Sequence, residues 1–349
     1  MGENKLHEIR YLCEIITPMF LGDQTGRGAE LRPPSIKGAM RFWWRATQSF
    51  TSIAALKTAE GNIFGTPDGE GKKSKVLITV KNLDPTPLTN NPLPKHKFYA
   101  IVNNKNIPIN IIEYLAYGKT KLGSDSHAFY FEPGTKFEVV FLTPHEHIES
   151  VNEAFHLVAY YGGLGGKSRN GFGSFRILNI EGASPFTVSA DLYSGNYNDL
   201  PDYPAFSDQT MLLDPGKTYN SWVEAMGALG EVYYNAKNEL GRTASPKYSL
   251  IPNKKEYLGI ISNSKINKGD LKLPREQKFE RIAKPYFFRI DKTADNKFKI
   301  RVLFLPSKFL EGFRNTRNDT LLKDSQDEYL KLLKIMTKTI SDNLKGGNN

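Results

Sequence analysis

The order of strand-like and helix-like segments in the first half of the chain constrains its fold most strongly. Four segments have the apolar patterns of β-strands: residues 7–19, 75–83, 134–143 and 173–180. Two segments have the apolar period of amphipathic helices: residues 35–50 and 147–161. The resulting order, strand, helix, strand, strand, helix, strand, is that of a ferredoxin-like βαββαβ domain. We therefore predict an α+β fold with one such RRM-like domain over residues 1–183.

The second half of the chain repeats this layout in a weaker form. Helices are predicted over residues 219–238 and 320–344, and a strand pair over residues 285–290 and 297–305. Residues 241–281 are rich in Lys, Asn, Ser and Pro and are expected to contribute no core element. The pattern is compatible with a second, degraded ferredoxin-like domain over residues 184–349, in tandem with the first.

The first predicted helix carries a row of cations on one face. Lys37, Arg41 and Arg45 recur at intervals of four residues, about one helical turn. Glu30 is the only acid among residues 24–59, so these cations are expected to lack partners nearby in the sequence. The row predicts either a solvated basic face or a surface that contacts a polyanion.

The same helix contains two adjacent tryptophans with different predicted roles. Ser35 is expected to be its N-cap, after two prolines that end any earlier structure. Trp43 falls among the apolar residues and is predicted to be part of the core. Trp44 falls at the border of the basic face, where its ring would be placed to stack on an unpaired base.

A glycine-rich loop, Gly162–Ser174, lies between the second helix and the last strand. Its Gly-Lys-Ser triplet at residues 166–168 resembles part of a P-loop, but Tyr161 stands where that motif needs a glycine. The helix also precedes the loop, whereas a P-loop helix follows it. The loop is instead expected to offer backbone N–H groups beside Lys167 and Arg169 to a phosphodiester backbone. Phe172 either stacks on a base or packs beneath the loop.

Composition narrows the classes of partner and site. The 349-residue chain has a formal net charge of +10, which favours a polyanionic partner or docking on acidic proteins. Cys13 is the only cysteine, so an internal disulfide framework and a multi-cysteine zinc site are excluded. The sequence has no signal-peptide pattern and no apolar run long enough to span a bilayer, and we expect a cytoplasmic protein without a membrane partner.

Two motifs resemble those of a known family. Residues 32–46, preceded by residues 17–22, resemble the N-terminal signature of the RAMP (repeat-associated mysterious protein) superfamily, and within it the first RAMP subunit of Cmr, or type III-B, CRISPR effectors. The glycine loop resembles the G-rich loop of this superfamily, although Asn170 stands where a basic residue is more usual. The resemblance implies two tandem ferredoxin-like domains, binding of single-stranded RNA, other RAMP subunits as partners, and target cleavage by a different subunit.

We therefore predict a non-catalytic, single-stranded RNA-binding subunit of an RNA-guided antiviral effector, which contributes to guide or target RNA binding and needs no cofactor or metal. The predicted RNA-binding residues are Arg27, Arg32, Lys37, Arg41, Trp44, Arg45, Lys167, Ser168, Arg169, Asn170 and Phe172. Two alternatives are an endoribonuclease that processes CRISPR repeat RNA, with His127 as a candidate base, and a structural subunit whose basic face docks on acidic neighbours.

Overall fold

The fold is described from a computed structural model, over residues 5–23, 28–50, 52–67, 71–84, 88–102, 104–120, 128–188, 200–242, 284–308 and 333–345. The strands are β1 (Leu6–Ile15), β2 (Leu77–Asn82), β3 (Lys97–Val102), β4 (Lys105–Asn110), β5 (Lys136–Pro144), β6 (Phe175–Glu181), β7 (Met211–Leu213), β8 (Thr218–Tyr219), β9 (Tyr286–Lys292) and β10 (Phe298–Phe304). The helices are α1 (Pro33–Ala46), α2 (Ile53–Phe64), α3 (Ile111–Leu115), α4 (Ile148–Tyr160) and α5 (Trp222–Arg242), and residues 333–345 are also helical.

The first sheet is antiparallel and has the strand order β2-β5-β1-β6. Its elements follow one another as β1, α1, β2, β5, α4, β6, which is the order predicted for the first domain. Helix α2 and the β3–β4 hairpin with α3 are additions between these elements. The structure is thus a mixed fold of antiparallel sheets and helices.

The core of this first unit lies between the sheet and helices α1 and α4. Alternate residues of β1, including Tyr11 and Cys13, are fully buried, as are alternate residues of β5, including Phe137 and Phe141. This period of two follows from the pleat of a strand, which sends successive side chains to opposite faces. Helix α4 covers the buried face with Phe155, which packs 5.1 Å from Phe141 between ring centroids.

Two helix boundaries differ from the prediction. Helix α1 begins at Pro33 after Arg32, so Ser35 is not its N-cap, because a proline at the first turn already fixes the helical backbone. The helix also ends at Ala46, whereas it was predicted to continue to residue 50. The next helix, α2, was not predicted. Ser52 caps α2, with its Oγ accepting a hydrogen bond from the Ala55 N–H at 3.2 Å.

The C-terminal half contributes the β9–β10 pair, whose two faces are both buried. Tyr286 and Phe288 pack with α5 and the C-terminal helical residues, whereas Phe287 packs in the core of the first unit, 5.0 Å from the Trp43 ring. The predicted strand pair and helix α5 are present. A second βαββαβ copy and the boundary after residue 183 stay predictions, and most of the segment 241–281 lies outside the described residues.

None of the helices within the described ranges is long and apolar enough to cross a membrane.

Candidate nucleic-acid interface

Helix α1 presents its predicted row of cations at the surface. The side chains of Arg41 and Arg45 are each about one-third exposed, at 33% and 32%. The Nζ atom of Lys37 donates a hydrogen bond to Ser74 Oγ at 2.9 Å. Partial burial, together with the positive charge of Arg41, lowers the pKa of Lys37. Gly38 lies on the same exposed side, and no atom lies within 4 Å of the position that a Cβ would take there.

These cations have no acid close by in the sequence, as expected, but two of them are paired in the fold. Glu60, on α2, is 4% exposed and accepts hydrogen bonds from Arg41 Nε at 2.5 Å and Arg45 Nη1 at 2.6 Å. The acid is distant in the sequence, but α2 packs beside α1 and brings its carboxylate between the two guanidinium groups. Arg41 and Arg45 therefore share one carboxylate, whereas Lys37 is hydrogen-bonded to Ser74.

The two predicted stacking aromatics are both buried. Trp44 is 5% exposed, and its ring packs against Phe50 and Phe64 on the side of α1 that α2 covers. Phe172 is fully buried 5.3 Å from Phe20, so it packs beneath the loop rather than on a base. The placement of Trp44 at the surface is therefore wrong, whereas Trp43 is buried as predicted.

The glycine loop packs closely against the segment that follows β1. Gly165 and Gly173 have positive φ, and a Cβ at either position would clash with a backbone carbonyl oxygen, that of Phe20 or Leu164 respectively. The Gly166 N–H donates to the Phe20 carbonyl at 2.7 Å, and the Gly173 N–H donates to the Pro18 carbonyl at 2.9 Å. These two N–H groups serve the fold and are not available to a phosphodiester backbone, and binding by the other N–H groups of the loop stays a prediction.

Arg169 brings the glycine loop into contact with α1 and with β9. Its guanidinium lies 5.3 Å from the ring centroid of Phe42 on α1 and 4.3 Å from that of Phe287 on β9. It also donates a hydrogen bond to the backbone carbonyl of Lys284. The helix and the loop, which are far apart in the sequence, therefore meet at one place.

Asn170 extends this junction toward α3 and the start of β9. Its Nδ2 donates to the Leu115 carbonyl at 2.7 Å, and its Oδ1 accepts a hydrogen bond from Lys284 Nζ. A basic side chain at position 170 would place a further cation against Lys284. The amide suits the site because it can donate to a carbonyl and accept from a lysine at the same time.

Two cations at this junction were missed by sequence reasoning. Lys284 precedes β9, and Lys237 lies on α5, where its Nζ donates to the Tyr114 hydroxyl at 3.2 Å. Nothing in the sequence links these segments to the glycine loop. One signal in the sequence could have identified Lys237. Tyr233 and Lys237 are four residues apart, which places an aromatic ring and a cation on one face of a helix.

The other predicted residues have less distinct positions. Arg32 lies 4.0 Å from Glu30, and Ser168 is half-buried in the glycine loop. Arg27 and His127 lie outside the described residues. In the part of the chain that the structure describes, no three His, Cys, Asp or Glu side chains are grouped as metal ligands would be.

Part of the chain is similar in sequence to known proteins. Residues 12–176 match the RAMP superfamily model. The CRISPR system Cmr subunit Cmr1-1 of Pyrococcus furiosus is 33% identical over 153 residues, and the CRISPR system Cmr subunit Cmr1-2 of that organism is 27% identical over 190 residues. These matches cover 43% and 49% of this chain, and 41% and 96% of the two relatives.

A solved structure is similar over almost the whole chain. It is a chain in the cryo-EM structure of the type III-B Cmr-beta bound to cognate target RNA and AMPPnP in the presence of ssDNA. The TM-score is 0.50 at 13% identity, with 96% of this chain and 100% of that chain covered. The likeness concerns the fold alone. Residues 12–176, which include α1 and most of the first sheet and the glycine loop, are thus similar to the RAMP superfamily.

Proposed function

We propose that this chain is a non-catalytic, single-stranded RNA-binding subunit of a type III-B (Cmr) CRISPR effector. The observation that carries the proposal is the contact between Arg169 and Phe42, which joins the glycine loop to the basic helix α1 in one surface. The similarity to two Cmr subunits supports the assignment to this class of complex.

The chemistry of the surface favours contact with phosphates over contact with bases. Lys37, Arg41 and Arg45 offer N–H donors, whereas the two aromatic residues predicted to stack are buried. Cations that neutralise phosphates release counterions, so affinity falls as salt rises and is largely independent of base sequence. Such binding suits an RNA-guided effector, in which base pairing between guide and target reads the sequence.

The proposed partners within the complex are other RAMP subunits. One surface that suits a protein contact is the β3–β4 hairpin, where Tyr99 and Ile101 lie on the same face and are 53% and 51% exposed. Cross-linking of complexes prepared with the wild-type chain and with the double variant Tyr99→Ser/Ile101→Ser would test this surface. We expect the double variant to be lost from the complex, and its normal assembly would argue against this contact.

The RNA-binding role is tested by a substitution at Gly38, where an added Cβ would have no other atom within 4 Å. Gly38→Glu places a carboxylate beside Lys37 and Arg41, and Gly38→Ala is the matched control. Fluorescence anisotropy with a labelled single-stranded RNA is expected to show at least tenfold weaker binding for Gly38→Glu and wild-type binding for Gly38→Ala. Equal affinity for all three proteins, with no salt dependence, would overturn the proposal.

The non-catalytic part of the proposal is tested separately. Purified protein incubated with CRISPR repeat RNA is expected to leave that RNA intact. Specific cleavage that is lost in His127→Ala would instead support the endoribonuclease.

A further inference from the structure

Lys284 occupies an unusual place for a lysine. It is half-buried at the start of β9, and its Nζ lies 4.4 Å from the ring centroid of Tyr233 and 4.2 Å from that of Phe288. The same Nζ donates a hydrogen bond to Asn170 Oδ1. The amino group is thus held between two aromatic faces and directed at the glycine loop.

Three positive charges among the described residues act on the Lys284 amino group. They come from Arg169 and Lys167 on the glycine loop and from Lys237 on α5. Burial lowers the pKa of Lys284 well below that of an ordinary lysine, and these three charges lower it further. We call these residues, Lys167, Arg169, Lys237 and Lys284, the four-cation cluster.

The four-cation cluster joins both halves of the chain. Lys237 Nζ lies 5.6 Å from the Tyr233 ring, so Lys237 and Lys284 approach the same aromatic side chain. Bringing like charges together away from water costs free energy, which an anion bound among them would offset. Strongly perturbed charges in such a place are typical of binding sites.

We propose that the four-cation cluster binds one phosphate group of RNA, held by Lys284 and Lys237 from the C-terminal half and by Lys167 and Arg169 from the glycine loop. A phosphate suits the cluster because its oxygens accept several charge-assisted hydrogen bonds at once. RNA is favoured as the source because Arg169 also contacts α1, which carries the other cations of the proposed RNA surface. This inference rests on the proposed function and assigns Lys237 and Lys284 to it.

The phosphate comes either from within an RNA strand or from one of its ends. Competition against the labelled RNA distinguishes the two sources, with three unlabelled strands of one sequence: one without terminal phosphates, one with a 5′-phosphate and one with a 3′-phosphate. Equal competition identifies an internal phosphodiester, whereas stronger competition by one phosphorylated strand identifies that end.

The inference itself is tested with Lys284→Gln and Lys237→Gln in the full chain, with Lys338→Gln as a control at an exposed lysine of the C-terminal helical residues. Each of the two site variants is expected to bind the labelled RNA at least fivefold more weakly than wild type, with a smaller dependence on salt. The control is expected to bind as wild type. Inorganic pyrophosphate, used as the simple anion, is expected to raise the melting temperature of wild type but not of Lys284→Gln.

The outcomes separate the inference from the proposed function. If Gly38→Glu weakens binding while both lysine variants bind RNA and respond to pyrophosphate as wild type does, the phosphate site is refuted and RNA binding stands. If no variant weakens binding, both are refuted. Should Lys284→Gln prove unstable, Lys237→Gln alone decides, because the Lys237 amino group approaches the same Tyr233 ring.

Discussion

The Arg289 guanidinium donates a hydrogen bond to the Gly162 carbonyl oxygen at 3.0 Å, just past the end of α4. It donates a second hydrogen bond to the Phe175 carbonyl at 2.5 Å, and its Nε lies 2.7 Å from Asp291 Oδ1. Arg289 is 3% exposed. A side chain of β9 therefore satisfies backbone groups at both ends of the glycine loop, which ties the C-terminal strand pair to the first unit.

Arg289→Met is expected to lower the free energy of unfolding by about 3–5 kcal/mol. The substitution removes the side-chain donor from two carbonyls and weakens the pairing of Asp291, while the methionine fills most of the volume. Urea unfolding followed by circular dichroism measures the change. Arg10→Met, at a β1 arginine whose side chain is 37% exposed, is the control and is expected to unfold near the wild-type urea concentration. Equal stability of the two variants would contradict the role given to Arg289.

Glu60→Gln is expected to strengthen RNA binding and weaken the fold. The loss of the carboxylate frees Arg41 and Arg45 for phosphates, so affinity at low salt rises and its salt dependence steepens. The unfolding free energy falls by about 1–3 kcal/mol, because two charged hydrogen bonds to a buried acid are weakened. Anisotropy and urea unfolding measure the two effects. Glu146→Gln, at an exposed acid before α4, is the control and should change neither the RNA affinity nor the unfolding free energy. Unchanged RNA affinity in Glu60→Gln would show that Arg41 and Arg45 do not contact RNA.

Lys284 makes both stability and RNA binding depend on pH. The pKa of Lys284 is lowered in the folded protein. At a pH between this lowered pKa and the ordinary 10.5, Lys284 is therefore protonated in the unfolded chain and neutral in the folded protein. Stability of the free protein therefore rises with pH in this window, and Lys284→Gln removes that contribution. A phosphate favours the charged lysine, so RNA affinity falls as pH rises through the same window. Melting curves and anisotropy at several pH values measure both slopes, and parallel slopes for wild type and Lys284→Gln would refute this prediction.

Trp44→Ala is expected to destabilise the fold by about 3–5 kcal/mol, because it removes a buried aromatic side chain and leaves a cavity between α1 and α2. The substitution should affect RNA binding only through this loss of stability. Thermal unfolding measures the first effect, and RNA titration at a temperature where the variant is folded measures the second. A stable variant with weak RNA binding would restore the stacking role predicted from the sequence.

Gly173→Ala is expected to cost more stability than Gly134→Ala. Both glycines have positive φ, so both substitutions strain the backbone by about 1 kcal/mol. Only at Gly173 would the Cβ clash with a carbonyl, that of Leu164, whereas no atom lies within 4 Å at Gly134. The difference between the two unfolding free energies isolates the close packing of the loop, and equal values would refute it.

The patterns that repeat along the sequence predicted the fold of the first unit well. The alternation of β1 and β5 and the apolar face of α4 depend on local geometry, so periodicity identified them. Helix α2 was missed because its signal is a single cap, Ser52, in a stretch without a strong apolar period.

The surface of the site was harder to predict than its backbone. The sequence identified the cations of α1 and of the loop. It did not predict the burial of Trp44, because that depends on a neighbouring helix. It did not predict the pairing of Arg41 with Glu60 either, because these residues are 19 positions apart. Lys284 reaches the glycine loop across 114 residues of sequence. Contacts of this kind are set by tertiary packing, which periodicity does not encode.

The close packing of the glycine loop has a consequence for the kinetics of recognition. Because Gly165 and Gly173 hold the loop backbone against fixed carbonyls, Lys167 and Arg169 start from a backbone that is already ordered. The loop therefore loses little conformational entropy when an RNA strand binds. The encounter is instead governed by long-range attraction between a basic protein and a polyanion, so salt should slow association more than it speeds dissociation.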